Sequence, residues 1–175
     1  MALSRRHVIQ GGMLMAATVT IAGSSPLQAQ PQAQPQSQQK IPDRGPRLDA
    51  DLVREFVIAG HGNLDKVKEM LAQQPALINA TWDWGGGDWE TALGGASHMG
   101  NAPIAEYLLS KGARMDVFCA TMMGKAEIVK AFLADDPKVV DLKGPHGISL
   151  IRHARAGKQD AIAEMLLARG AKEQS

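Results

Sequence analysis

The chain has 175 residues, with 19 basic and 18 acidic side chains and only 4% aromatics. Its formal net charge of +1 leaves no basic excess to hold a phosphate backbone, so nucleic acid is not an expected partner. A single cysteine, Cys119, rules out an intramolecular disulfide framework, and its apolar neighbours predict an inert core thiol.

The first predicted element is an export signal over residues 1–29. Ser4-Arg5-Arg6 precedes a weakly apolar run from Val8 to Ile21, and small residues follow near Leu27-Gln28-Ala29. Basic region, short apolar core and cleavage region stand in the order of a secretory signal peptide. The apolar core is about fourteen residues, short of the roughly 20 that span a bilayer. Arg5-Arg6 with this weak core resembles the twin-arginine export motif. The resemblance implies the twin-arginine export machinery as a partner, passage in folded form and a periplasmic destination. With no cysteine near the cleavage region, no lipoprotein anchor is expected, nor any stable membrane anchor once the signal is removed. The remainder carries 17 basic and 18 acidic residues, a net charge of −1.

Residues 30–48 are rich in Gln and Pro, with little apolar content. Such a composition cannot offset chain entropy by burial and predicts a disordered linker. Residues 49–175 are then one domain.

That domain carries a degenerate repeat. Its copies align on Gly62, Gly100, Gly124 and Gly157, each followed by an apolar stripe at helical spacing. The stripes are Leu64, Val67, Met70, Leu71; then Ile104, Tyr107, Leu108, Leu109; then Ile128, Val129, Phe132, Leu133; then Ile162, Met165, Leu166, Leu167. Ala59, Ala96, Ala120 and Ala154 precede the glycines at equivalent places, where small side chains allow close helix approach. Two copies close with Gly-Ala, at 112–113 and 170–171. A helix–turn–helix of this kind buries its apolar face only when stacked on neighbours.

The pattern TALGGASHMGN with YLLSKGA resembles the ankyrin repeat, with Thr91, Leu93, Ala96, Gly100, Leu108, Leu109, Gly112 and Ala113 in register. The resemblance covers roughly 50–172 and implies an all-α, ankyrin-type α-solenoid of about four degenerate repeats. Gly94 stands in place of the family's histidine, and His153 in place of a small alanine. The glycine spacings are 38, 24 and 33 residues, so the first interval holds an insertion and the second has lost most of its hairpin finger.

The insertion, TWDWGGGDWE at 81–90, holds all three tryptophans. It reads either as a brace over the core or as an aromatic recognition surface. On the second reading Trp84, nearest the tip, is the exposed ring, and Trp82 and Trp89 pack inward. Asp83, Asp88 and Glu90 do not follow the close alternating pattern of a calcium loop. No motif pairs a nucleophile with a base, so no catalytic residue and no cofactor are expected. His61 and His98 lie at similar places at the end of a first helix, and His146 at a hairpin tip. A metal site needs three histidines, or two with a carboxylate, converging across repeats. Their spacing carries no such signal, so no metal is expected.

The sequence therefore predicts a non-catalytic interaction module that binds an unidentified protein partner in the periplasm. The candidate binding residues are Trp82, Trp84, Trp89, His98, Met99, Met122, Met123 and His146. The alternative is a small-molecule or glycan binder, possibly enzymatic, that uses the Trp-rich loop.

Overall fold

A computed structural model describes residues 44–173. The expected signal peptide, Arg5-Arg6 and most of the expected linker lie outside the described residues. Of the described residues 62% are helical, in eight α-helices and three short 3-10 helices, and two short strands complete the regular structure.

The helices form four consecutive pairs: α1 (Ala50–Gly60) with α2 (Leu64–Gln73), α3 (Ala92–His98) with α4 (Ala102–Ser110), α5 (Val117–Met122) with α6 (Ala126–Asp135), and α7 (Leu150–Ala156) with α8 (Asp160–Leu167). Side chains that prefer caps set the starts. Asp49, Asn63, Thr91, Asn101 and Asp116 each accept a hydrogen bond from the backbone N–H three residues on. The first helices pack in sequence, α1 on α3, α3 on α5 and α5 on α7. The aligned alanines make that stacking possible, since Ala59, Ala96, Ala120 and Ala154 are all buried.

The last three repeats also share their turns, whereas in the first the Ala59 carbonyl accepts from Asn63 and Gly62 takes no positive φ. The carbonyls of Ala96, Ala120 and Ala154 accept from the N–H groups of Asn101, Lys125 and Gln159 at 2.8–2.9 Å. Each of these shared turns needs one left-handed residue, supplied by Gly100 (φ +67°), Gly124 (φ +72°) and, in the last repeat, Lys158 (φ +56°). Alignment on Gly157 is thus one residue out of register. Gly157 is held by space instead, because a Cβ there would collide with the Met122 carbonyl. The two Gly-Ala closures are alike: Ala113 and Ala171 donate back to Leu108 and Leu166, and Gly112 and Gly170 to Leu109 and Leu167.

The second helices bury most of the expected stripes, with Val67, Ile104, Leu108, Val129, Ile162 and Leu166 all sealed from solvent. Three positions depart: Ile128, Phe132 and Leu167 are exposed, on the outer flanks of α6 and α8. Among the described residues no helix is long and apolar enough to cross a membrane.

This burial sets an order for core mutants. Leu108→Ala and Leu166→Ala are each expected to cost about 2–5 kcal/mol in urea unfolding. Ile128→Ala is expected to cost no more than about 0.5 kcal/mol. Equal costs at all three sites would contradict the register of the second helices.

Candidate metal centre

The insertion at 81–90 folds as a hairpin. β1 (Thr81–Asp83) pairs antiparallel with β2 (Trp89–Thr91), placing Trp82 opposite Glu90 and Asp83 opposite Trp89. Gly85, Gly86 and Gly87 all take positive φ and close the turn. Opposed residues share a face of the ribbon and alternate along it. Trp82 and Glu90 therefore face the helices, and Trp89 faces away with 59% exposure.

Glu90 is only 1% exposed, and an isolated carboxylate at such depth is costly. Its surroundings supply the compensation. The Trp84 indole N–H donates to Glu90 Oε2 at 2.8 Å. His61 Nε2 and His146 Nε2 each approach Oε2 at 3.4 Å, and His98 Nδ1 approaches Oε1 at 3.1 Å. Burial pushes the Glu90 carboxyl up. The His98 ring, the Trp84 N–H and His61 outweigh it and hold the group below its ordinary range.

The three histidines come from three places. His61 caps the C-terminus of α1, His98 ends α3, and His146 sits in the 3-10 turn Pro145–Gly147 with φ +59°. The aligned helix ends of neighbouring repeats bring His61 and His98 together, with ring centroids 4.8 Å apart. Gly94 and Gly95 make room for this. A Cβ on Gly95 would lie 2.8 Å from the His61 ring, and one on Gly94 would lie 3.3 Å from the Glu90 side chain. His146 is anchored to the tip of the first finger. Its backbone N–H donates to Asp88 Oδ1 at 2.9 Å, and its Nδ1 lies 2.8 Å from Oδ2. The first of these bonds does most to hold the Asp88 carboxyl below its usual range, against a smaller opposing effect of burial.

Hydrogen bonding fixes the chemistry of two rings. His61 Nδ1 lies 3.0 Å from the Val57 carbonyl, which can only accept, so Nδ1 carries the proton. His146 Nδ1 likewise donates to Asp88. In the neutral rings both Nε2 atoms then present lone pairs to the Glu90 carboxylate. Glu90 Oε1 and His98 Nδ1 are buried and face one another without a hydrogen bond, their approach being close but misaligned. Acceptors gathered this closely repel unless a proton or a metal cation lies between them.

His61, Glu90, His98 and His146 each offer one ligand atom, and these atoms all lie within 4.8 Å of one another. Metal–ligand bonds of about 2.0–2.1 Å in a tetrahedron set neighbouring ligands about 3.3–3.4 Å apart. The 3.4 Å contacts of His61 and His146 with Glu90 Oε2 match that edge, whereas His98 meets the other oxygen, Oε1, at 3.1 Å, so the set must draw together from its 4.8 Å spread to close on one ion. The outer contacts, Val57 to His61, Asp88 to His146 and Trp84 to Glu90, are the kind that orient metal ligands.

The histidines expected to be solvated or to brace turns thus converge, with a carboxylate, across three repeats. His98 and His146, expected on a protein-binding surface, face this centre. Trp84, expected to be the exposed ring, is half-buried and bonded to Glu90, whereas Trp89, expected to pack inward, is exposed. Trp82 packs against the core as expected. Met99 lies on the surface at 58% exposure, Met123 is half-buried, and Met122 is buried at 1%, which leaves it no surface to offer. Cys119 is buried, and burial raises its thiol pKa to about 11, in keeping with an inert core residue.

No protein-family model matches the chain, and no curated protein matches it.

Gly95→Ala separates packing from helix propensity. Propensity alone favours alanine by about 1 kcal/mol. The collision with the His61 ring is instead expected to make the variant less stable by about 1–3 kcal/mol in urea unfolding. A stabilised variant would contradict the close seat of His61 on α3.

Proposed function

We propose that this chain is a repeat-built metalloprotein whose centre holds one divalent transition metal through His61, Glu90, His98 and His146. One observation carries the reading: two imidazole lone pairs, a third imidazole nitrogen without a hydrogen bond and a buried carboxylate gather with their ligand atoms within 4.8 Å of one another. Nitrogen-rich ligation with one carboxylate suits Zn²⁺ and its borderline neighbours. It suits neither Cu⁺, which prefers thiolates and thioethers, nor Ca²⁺ and Mg²⁺, which prefer oxygen.

The metal ties together sequence-distant parts, since its ligands span residues 61–146. It joins the end of α1, the first finger, the end of α3 and the turn at 145–147. The role assigned to the metal is to fix the two fingers. The scaffold is of ankyrin type. Four helix pairs, recurrent turns on Ala96, Ala120 and Ala154, and two alike Gly-Ala closures support that assignment. An exported, periplasmic protein that folds before passage could acquire its metal in the cytoplasm. The fixed fingers, with Trp89 and Met99 on the surface, favour a second role as the face presented to a protein partner.

Calorimetry with Zn²⁺ on chelator-treated protein is expected to give one site per chain, with Ca²⁺ giving none. At a free concentration of 100 times Kd, Zn²⁺ is expected to stabilise the fold by about 2.7 kcal/mol. Trp84→Phe removes the N–H that orients Glu90 together with part of the ring, and is expected to weaken Zn²⁺ binding about 10–100-fold while the helical circular dichroism is kept. Glu90→Gln and His98→Ala are expected to abolish it. If the cluster is held by protons alone, Zn²⁺ leaves stability unchanged and the proposal fails.

A further inference from the structure

On the face of the hairpin away from Glu90 lies a cleft of about 330 Å³ between the two fingers. The first finger contributes Asp88, Trp89 and Thr91. The opposite wall is Asp116, Phe118 and the Lys143–Pro145 segment. This volume is within the range of small-molecule sites. We infer that the cleft binds a saccharide, with one sugar ring stacked on Trp89 and its hydroxyls bridging Asp116 and Lys143.

The chemistry of the walls selects that ligand class. Trp89 is 59% exposed, unlike Trp82 and Trp84, so its ring has a face to offer. A flat, apolar indole suits the C–H face of a pyranose. Asp116 uses Oδ1 to cap α5 through the Cys119 N–H at 2.7 Å, which leaves Oδ2 to accept from a ligand. Lys143 is exposed, and none of the ion pairs among the described residues involves its ammonium. The Thr91 hydroxyl oxygen accepts from the Gly94 N–H at 3.0 Å and keeps its proton to donate. With both oxygens of Asp88 engaged by His146, the cleft presents one oxygen of Asp116 and the Lys143 ammonium, a mixed pair that suits neither an anion nor a cation well. A neutral polyol satisfies both, donating to the first and accepting on the second. Gly87, Gly94 and Gly144 line the same space without side chains, so the ring can approach the backbone.

The site stands apart from the metal ligands, although Asp88 borders both. It does not rest on the metal reading, and the test is run with Zn²⁺ and with chelator. The whole chain, labelled with ¹⁵N, is titrated with maltotriose, cellotriose and triacetylchitotriose as probes. The expected result is that at least one probe shifts the Trp89 indole and Gly144 amide resonances saturably. Calorimetry with that probe is expected to show Trp89→Ala weakening binding about tenfold or more. Asp116→Asn, which keeps the capping oxygen, is expected to weaken it severalfold. The inference is overturned if no probe gives a saturable shift, or if Trp89→Ala binds as the parent does. It is also overturned if only a proline-rich control peptide moves these resonances.

Discussion

The structure turns on one buried carboxylate. Glu90 lies in the second strand of a short hairpin and is sealed from water. An unpaired carboxylate at that depth costs several kcal/mol. Everything near it answers that cost. One indole N–H holds one oxygen, three imidazoles surround the group, and two glycines in α3 leave space, Gly95 for the His61 ring and Gly94 for Glu90 itself. Two of the imidazoles have their other nitrogen fixed by Val57 and Asp88, so their inward atoms are acceptors in the neutral state. A set of inward acceptors is stable only around a positive charge. That requirement links the hairpin, two helix ends and a distant turn into one unit.

The loss of a finger makes the unit possible. In a regular array each finger would meet its immediate neighbour. Here the connection from α4 (Ala102–Ser110) to α5 (Val117–Met122) contains no strand or hairpin. The first finger therefore meets the turn that precedes α7, and Asp88 hydrogen-bonds His146 across 58 residues. Irregularity in the repeat thus has a structural use: it joins non-adjacent fingers above the stacked first helices. The same junction leaves a cleft on its far side, bordered by Trp89 and Phe118.

The helical architecture was legible because its determinants are local. Stripes at spacings of three and four, small residues before the turns and Gly-Ala closures each act within one repeat. They place Leu108, Leu166 and the four aligned alanines correctly in the core. The error at Gly157 arose because glycine has two uses, positive φ and close approach, and sequence does not say which applies. The centre was not legible, because its ligands lie 29, 8 and 48 residues apart and belong to four elements. Two signals pointed towards it all the same. His61 and His98 hold similar repeat positions, and such positions stack. The 24-residue interval removes the finger that would have separated Asp88 from His146. The tryptophans were misassigned for a related reason. Ribbon alternation, rather than distance from the tip, decides which ring is exposed, and it turns Trp89 outward.

Anomalous diffraction at the zinc edge, from crystals of the chain grown with Zn²⁺, tests the central claim most directly. The expected result is a single strong peak about 2.0–2.2 Å from His61 Nε2, His98 Nδ1, His146 Nε2 and a Glu90 oxygen. The contradicting result is no peak there at saturating Zn²⁺, with the three rings still gathered on Glu90. Protons alone would then supply the charge that holds the cluster together.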